Sequence, residues 1–119
     1  MATRDELRAA TLGETAKFTS EEVEYNGQKY EIREPTIKQR TVIMQQAKVT
    51  GSNEDKRDLG KLVAWACVEC VYVPDTQEHV YEVADVEGMI NRPCKSWVSV
   101  FGDKVLEAMN VKADEASKN

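Results

Sequence analysis

A chain of 119 residues, 41% hydrophobic and 31% charged, holds enough apolar material for one core and not for several domains. The net charge of −5 and the pI near 5.0 give no attractive field for phosphate backbones or anionic lipid, which sets nucleic acid and membrane surfaces aside as partners. The opening run MATRDELRAATLG is charged where a secretory signal is apolar, and three cysteines make an odd number, so a reducing, cytoplasmic setting without disulfides is expected.

Thr3 and Glu6 have capping-box spacing, and Leu7, Ala9 and Ala10 after them predict a short helix closed by Gly13. A helix so short is marginal in water. Residues 1–17 are therefore expected to form an arm that docks on the body, docks on a neighbour, or frays.

From about residue 19 to 33 the pattern alternates: Val23 and Tyr25, then Asn26-Gly27, then Tyr30 and Ile32. Asn-Gly between alternating runs predicts a hairpin with a type I′ turn, pairing Tyr25 with Gln28 and Val23 with Tyr30. Val23, Tyr25, Tyr30 and Ile32 then share a dry face, while Glu22, Glu24, Lys29, Glu31 and Arg33 stay wet. Two strands alone are barely stable, so the hairpin must lie on helices or pair its open edge with another subunit.

Pro35 ends the strand, and Thr36 with Gln39 opens a helix whose expected main face is Ile37, Met44 and Ala47, with Val42 and Val49 opposite. Gly51 suits its end, and Ser52 or Asn53 suits the cap of the next helix. That next helix contains LGKLVAWACVECVYV, from Leu59 to Val73, and its expected end is near Tyr72. Leu59, Leu62, Val63, Ala66, Cys67 and Cys70 make its stripe, while Trp65, Val68, Val71 and Tyr72 fill the other sides. A helix apolar nearly all round needs cover on several sides. After the loop at Pro74–Glu78 and a short extended piece at His79–Tyr81, Ala84 or Asp85 opens a helical turn holding Val86, Met89 and Ile90. Pro93 fits the first turn of a last helix with Cys94, Trp97, Val98, Phe101, Val105, Ala108 and Met109 on one face. Gly102 weakens that helix by about 1 kcal/mol relative to alanine, so packing must hold it.

The expected fold class is α+β and mostly α, with an N-terminal β-hairpin at about 19–33 packed on a bundle of three to four helices. Residues 18–110 are expected to be one domain and 111–119, polar and small, a flexible tail.

No residues assemble into a catalytic group, a metal site or a cofactor site. Cys67-Val68-Glu69-Cys70 has the spacing of a redox pair or half a zinc site, but it lies deep in a helix on the apolar stripe, where cysteine packs as a small hydrophobe. A zinc site would also need His79 and Cys94, the sole other His and Cys. The glutamates between Glu21 and Glu34 read as a solvated face, with an acidic docking edge as the alternative. What remains is surplus apolar helix surface. Val42, Val49, Trp65, Val68 and Tyr72 lie off the main stripes and are the expected partner- or self-binding surface, against the alternative of a three-sided core.

The order of these signals resembles the tail assembly chaperones of long-tailed bacteriophages. The matching runs are EVEYNGQKYEIREPTIKQR, LVAWACVECV, VYEVADVEGMI and a last helix ending EAMNV, together spanning about Glu22 to Val111. Tyr30, Ile32, Pro35 and Arg40 carry the first block of the pattern, and Val80, Tyr81, Asp85 and Met89 the second. Some members of that family continue into an extension made by ribosomal frameshifting; this chain, stopping at Asn119, resembles the short form. The resemblance implies a non-enzymatic protein of the host cytoplasm that binds the tape measure protein, keeps it soluble, helps recruit tail tube subunits and is absent from the mature virion. Self-association is a further implication. The alternative is a structural adaptor, such as a head-tail connector component, that stays in the particle.

Overall fold

The computed structural model describes residues 1–14, 17–48 and 57–109. In chain order it has α1 (Arg4–Leu12), β1 (Ser20–Tyr25), β2 (Gln28–Arg33), α2 (Ile37–Gln46), α3 (Leu59–Cys70) and β3 (Val71–Tyr72). A 3-10 turn at Val83–Asp85, α4 (Val86–Ile90) and α5 (Trp97–Ala108) complete it. This is the expected α+β arrangement of a hairpin followed by helices. Val49, the Gly51 end and Ser52/Asn53 cap expected for the α2–α3 loop, and the tail at 111–119 all lie outside the described residues.

The hairpin forms in the expected register, with Tyr25 opposite Gln28 and Val23 opposite Tyr30. Asn26 at φ 52° and Gly27 at φ 78° supply the two left-handed residues that a type I′ turn requires. Ile32 is buried, and Val23, Tyr25 and Tyr30 pack against the core beside it. The sheet has a third strand that the sequence reading missed. The central helix stops at Cys70, and Val71 and Tyr72 pair antiparallel with Ile32 and Glu31 of β2. Val71, Tyr72 and Val73 form a β-branched and aromatic run ahead of Pro74, and β2 offers an open row of donors and acceptors; pairing outweighs two more residues of helix. The loop then folds back, with the Val73 amide on the Glu78 carbonyl at 2.9 Å, the Val80 amide on the Val71 carbonyl at 3.1 Å, and Tyr72 bridged to His79.

Helix α2 starts with the expected capping box between Thr36 and Gln39. Its buried side differs from expectation: Ile37 is 89% exposed, whereas Ile43 and Ala47 are wholly enclosed. Gln39, Ile43 and Ala47 are four apart and share one side, and the Gln39 amide donates to the Glu69 carbonyl at 2.9 Å and the Tyr72 hydroxyl at 3.2 Å. That anchor turns Ile37 outward. Helix α3 begins at Leu59 under Asp58, whose side chain accepts from the Lys61 amide at 3.0 Å.

The last helix also starts later than expected. Pro93 and Cys94 precede it in a turn, the Ser96 amide bonds the Pro93 carbonyl at 3.0 Å, and Cys94 is exposed rather than on the stripe. Val98, Phe101, Val105 and Leu106 of α5 are buried against α3. At their crossing Gly102 is enclosed, and a Cβ there would sit 2.7 Å from the Val63 Cβ and 3.0 Å from its carbonyl oxygen. The glycine that weakens the helix is the one that lets the two backbones meet. Phe101 is the hub of the core's aromatic side, with Tyr30, Tyr25 and Trp97 at centroid distances of 4.9, 5.8 and 5.8 Å.

A candidate protein-binding surface

Between the start of α3, α4 and the first half of α5 runs an open groove of about 400 Å³, lined by Leu59, Val63, Met89, Ile90, Pro93 and Val98. Its floor is apolar, and Leu59 and Ile90 stay 41% and 36% exposed. Arg92, Cys94, Ser96, Ser99 and Asp103 form the polar rim. Asp103 has its carboxyl held above the ordinary range, first by burial beside the groove and then by the neighbouring charge of Glu107. The apolar floor with a charged rim is the form of groove that receives the apolar face of a partner helix. Further exposed apolar side chains, Val83 and Val100, lie on α4's approach and on α5.

Of the residues expected from the sequence to form the binding surface, not all reach solvent. Val68 and Tyr72 are buried, with 5% and 8% exposure, because α2 covers that side of α3. Tyr72 is further enclosed by the Arg33 guanidinium, 4.1 Å above its ring, and by His79 at a centroid distance of 4.4 Å. Trp65 and Val42 are half-buried, and Val49 lies outside the described residues. Val42, Trp65, Val68 and Tyr72 do not line the groove. Leu59 and Val63 read as core in the sequence, and Ile90 as part of a short turn. Only the packing of α4 on α3 shows that their outer edges remain open.

The residue types able to carry chemistry form no cluster of three or more among the described residues. Cys67 and Cys70 are buried on α3, and the Cys67 thiol donates to the Val98 carbonyl at 3.5 Å. Burial raises both thiols, Cys70 to about 12 and Cys67 further. Such thiols stay protonated and unreactive at neutral pH. Among the described residues no three His, Cys, Asp or Glu side chains converge as a metal site would need. The hairpin carboxylates are largely engaged: Glu21 accepts from Lys104 at 3.0 Å, Glu22 lies 3.6 Å from Lys29, and Glu31 pairs with Arg33. Arg33 also reaches the Thr76 carbonyl and the Gln77 side chain, and Glu31 accepts from the Asp75 amide at 3.1 Å, so this cluster fastens β2 to the 73–79 loop. The Arg33 hydrogen bond, more than any other influence, lowers the Glu31 carboxyl below its ordinary value. No helix among the described residues is long and apolar enough to cross a membrane.

No protein-family model matches the chain, and no curated protein matches it in sequence. A solved structure does: the tail assembly chaperone of bacteriophage HK97 superposes with a TM-score of 0.61 at 19% identity, covering 92% of this chain and 99% of that one. By architecture, this chain has the fold of a bacteriophage tail assembly chaperone.

Proposed function

We propose that the protein is a phage tail assembly chaperone that binds the tape measure protein in the host cytoplasm, keeps its apolar helices dispersed, helps recruit tail tube subunits, and is absent from the mature virion. The observation that carries the reading is the likeness of fold to the HK97 chaperone along almost the whole of both chains. The groove beside α4 supports it, being of a size and polarity to hold one apolar face of a helix. So does the charge: with −5 overall, a chain that covers a sticky partner keeps the complex in solution. In this reading the client lies along Leu59, Val63 and Ile90, with half-buried Val42 and Trp65 as further contacts on the α2–α3 side, and copies of the chain associate with one another. The work is done by covering surface, not by a reaction.

Co-expression with the candidate tape measure protein tests the proposal. The expected result is that the tape measure protein moves from the insoluble to the soluble fraction and co-purifies; a tape measure protein that stays insoluble contradicts it. The structural-adaptor alternative is separated by protein analysis of purified particles, where a chaperone is absent and an adaptor present.

A further inference from the structure

Every residue of α1 and its flanks, from Met1 to Glu14, is exposed. The helix is nonetheless fully capped, with the Glu6 amide on the Thr3 hydroxyl at 3.2 Å and the Gly13 amide on the Ala9 carbonyl at 3.2 Å. Nine residues of helix with no buried side chain have little to hold them in water. Arg4, Leu7 and Arg8 stand at i, i+3 and i+4, so one side of α1 presents a leucine, 60% exposed, beside two arginines. Neither arginine has an ion-pair partner among the described residues. On α5, Val100, Asp103 and Glu107 stand at i, i+3 and i+7, presenting a valine, 41% exposed, beside two carboxylates four residues apart. These carboxylates too lack ion-pair partners among the described residues, and Asp103 opens onto the groove that Leu59 lines.

Like charges four apart on one helix repel, so each face is unfavourable alone and the two relieve each other. Both pairs have the same four-residue spacing, and each is accompanied by an exposed apolar side chain. In this structure α1 touches no such face on its own body, its residues being exposed throughout. We propose that α1 of one copy docks on the α5 face of a second copy, with Arg4 and Arg8 against Asp103 and Glu107, and Leu7 against Val100. The contact is heterologous, one copy's arm on the next copy's body, and therefore propagates from copy to copy until it closes or is stopped. It rests on the self-association within the reading above and names the two elements that bring it about.

Charge exchange tests this on the whole chain, read as mass against concentration by sedimentation velocity at low salt. The wild type is expected to associate, the double variant Arg4→Glu, Arg8→Glu to associate about tenfold or more weakly, and the fourfold variant that adds Asp103→Arg, Glu107→Arg to recover. All substituted positions are exposed, so each variant keeps the fold. A monomeric wild type, arginine variants that associate as the wild type does, or a fourfold variant that does not recover would each overturn the proposal. Solubilisation of the tape measure protein by the Arg4→Glu, Arg8→Glu variant, whose substitutions lie outside the groove, reads the chaperone function separately, so loss of self-association and loss of client binding give different results.

Discussion

At the scale of single residues, the two rings that look equivalent in sequence differ in the structure. Phe101 is wholly buried among Tyr25, Tyr30 and Trp97, while Trp65 is only partly buried against the core. From the sequence both truncations are expected to cost about 3–5 kcal/mol by opening a cavity. The structure keeps that expectation for Phe101→Ala and lowers it for Trp65→Ala, whose side chain is only partly buried. Denaturant unfolding of both variants checks this, and an equal loss would place Trp65 in the core after all. The buried thiols give a second residue-scale prediction. Cys70 is raised from 9.0 to about 12 and Cys67 moves the same way, so above pH 9 the unfolded chain releases thiol protons that the folded chain keeps. The stability tied to these neutral thiols is therefore full below about pH 9 and declines as pH rises toward 12. The urea midpoint is expected to fall between pH 8 and pH 10, and to fall less in a Cys67→Ala, Cys70→Ala variant. A midpoint that rises, or the same fall in both proteins, would show that these thiols are not desolvated.

At the scale of elements, the crossing of α3 and α5 is the most constrained feature. Gly102→Ala should raise helix propensity by about 1 kcal/mol, yet its Cβ would lie 2.7 Å from Val63 Cβ and 3.0 Å from Val63 backbone atoms. The expected outcome is a net loss of about 1–3 kcal/mol. Val63→Ala on the same background gives no relief, because alanine keeps the Cβ and the backbone atoms that meet residue 102. A stabilised Gly102→Ala protein would mean the helices are not in close approach. The hairpin was legible in the sequence because its evidence is local: Asn26-Gly27 dictates the turn, and alternation dictates the faces. The caps at Thr3 and Thr36 were legible for the same reason, since each needs only a partner three residues on. The outward turn of Ile37, the conversion of Val71 and Tyr72 to a strand, and the open groove beside α4 were not. Each is decided by a distant partner: the Glu69 carbonyl and Tyr72 hydroxyl for Gln39, the free edge of β2 for β3, and the packing of α4 for the groove.

At the scale of the whole molecule, apolar surface stays open beside α4. The outer sides of α3 are closed by α2 and by the Arg33–Tyr72 cluster, whereas the edge of α3 facing α4 and α5 stays open at Leu59 and Val63. The likeness to the HK97 chaperone extends over 92% of the chain with only 19% identity, as expected when packing pattern and not individual side chains defines an architecture. The proposed function makes the open groove its working surface, and Ile90, 36% exposed on its wall, is a position where a charge opposes an apolar client. The most direct measurement is the soluble fraction of the tape measure protein co-expressed with wild type or with Ile90→Asp, each confirmed to have the same melting temperature. The account predicts that the wild type brings the tape measure protein into solution and Ile90→Asp does not; equal solubility with both proteins, or with neither, would contradict it.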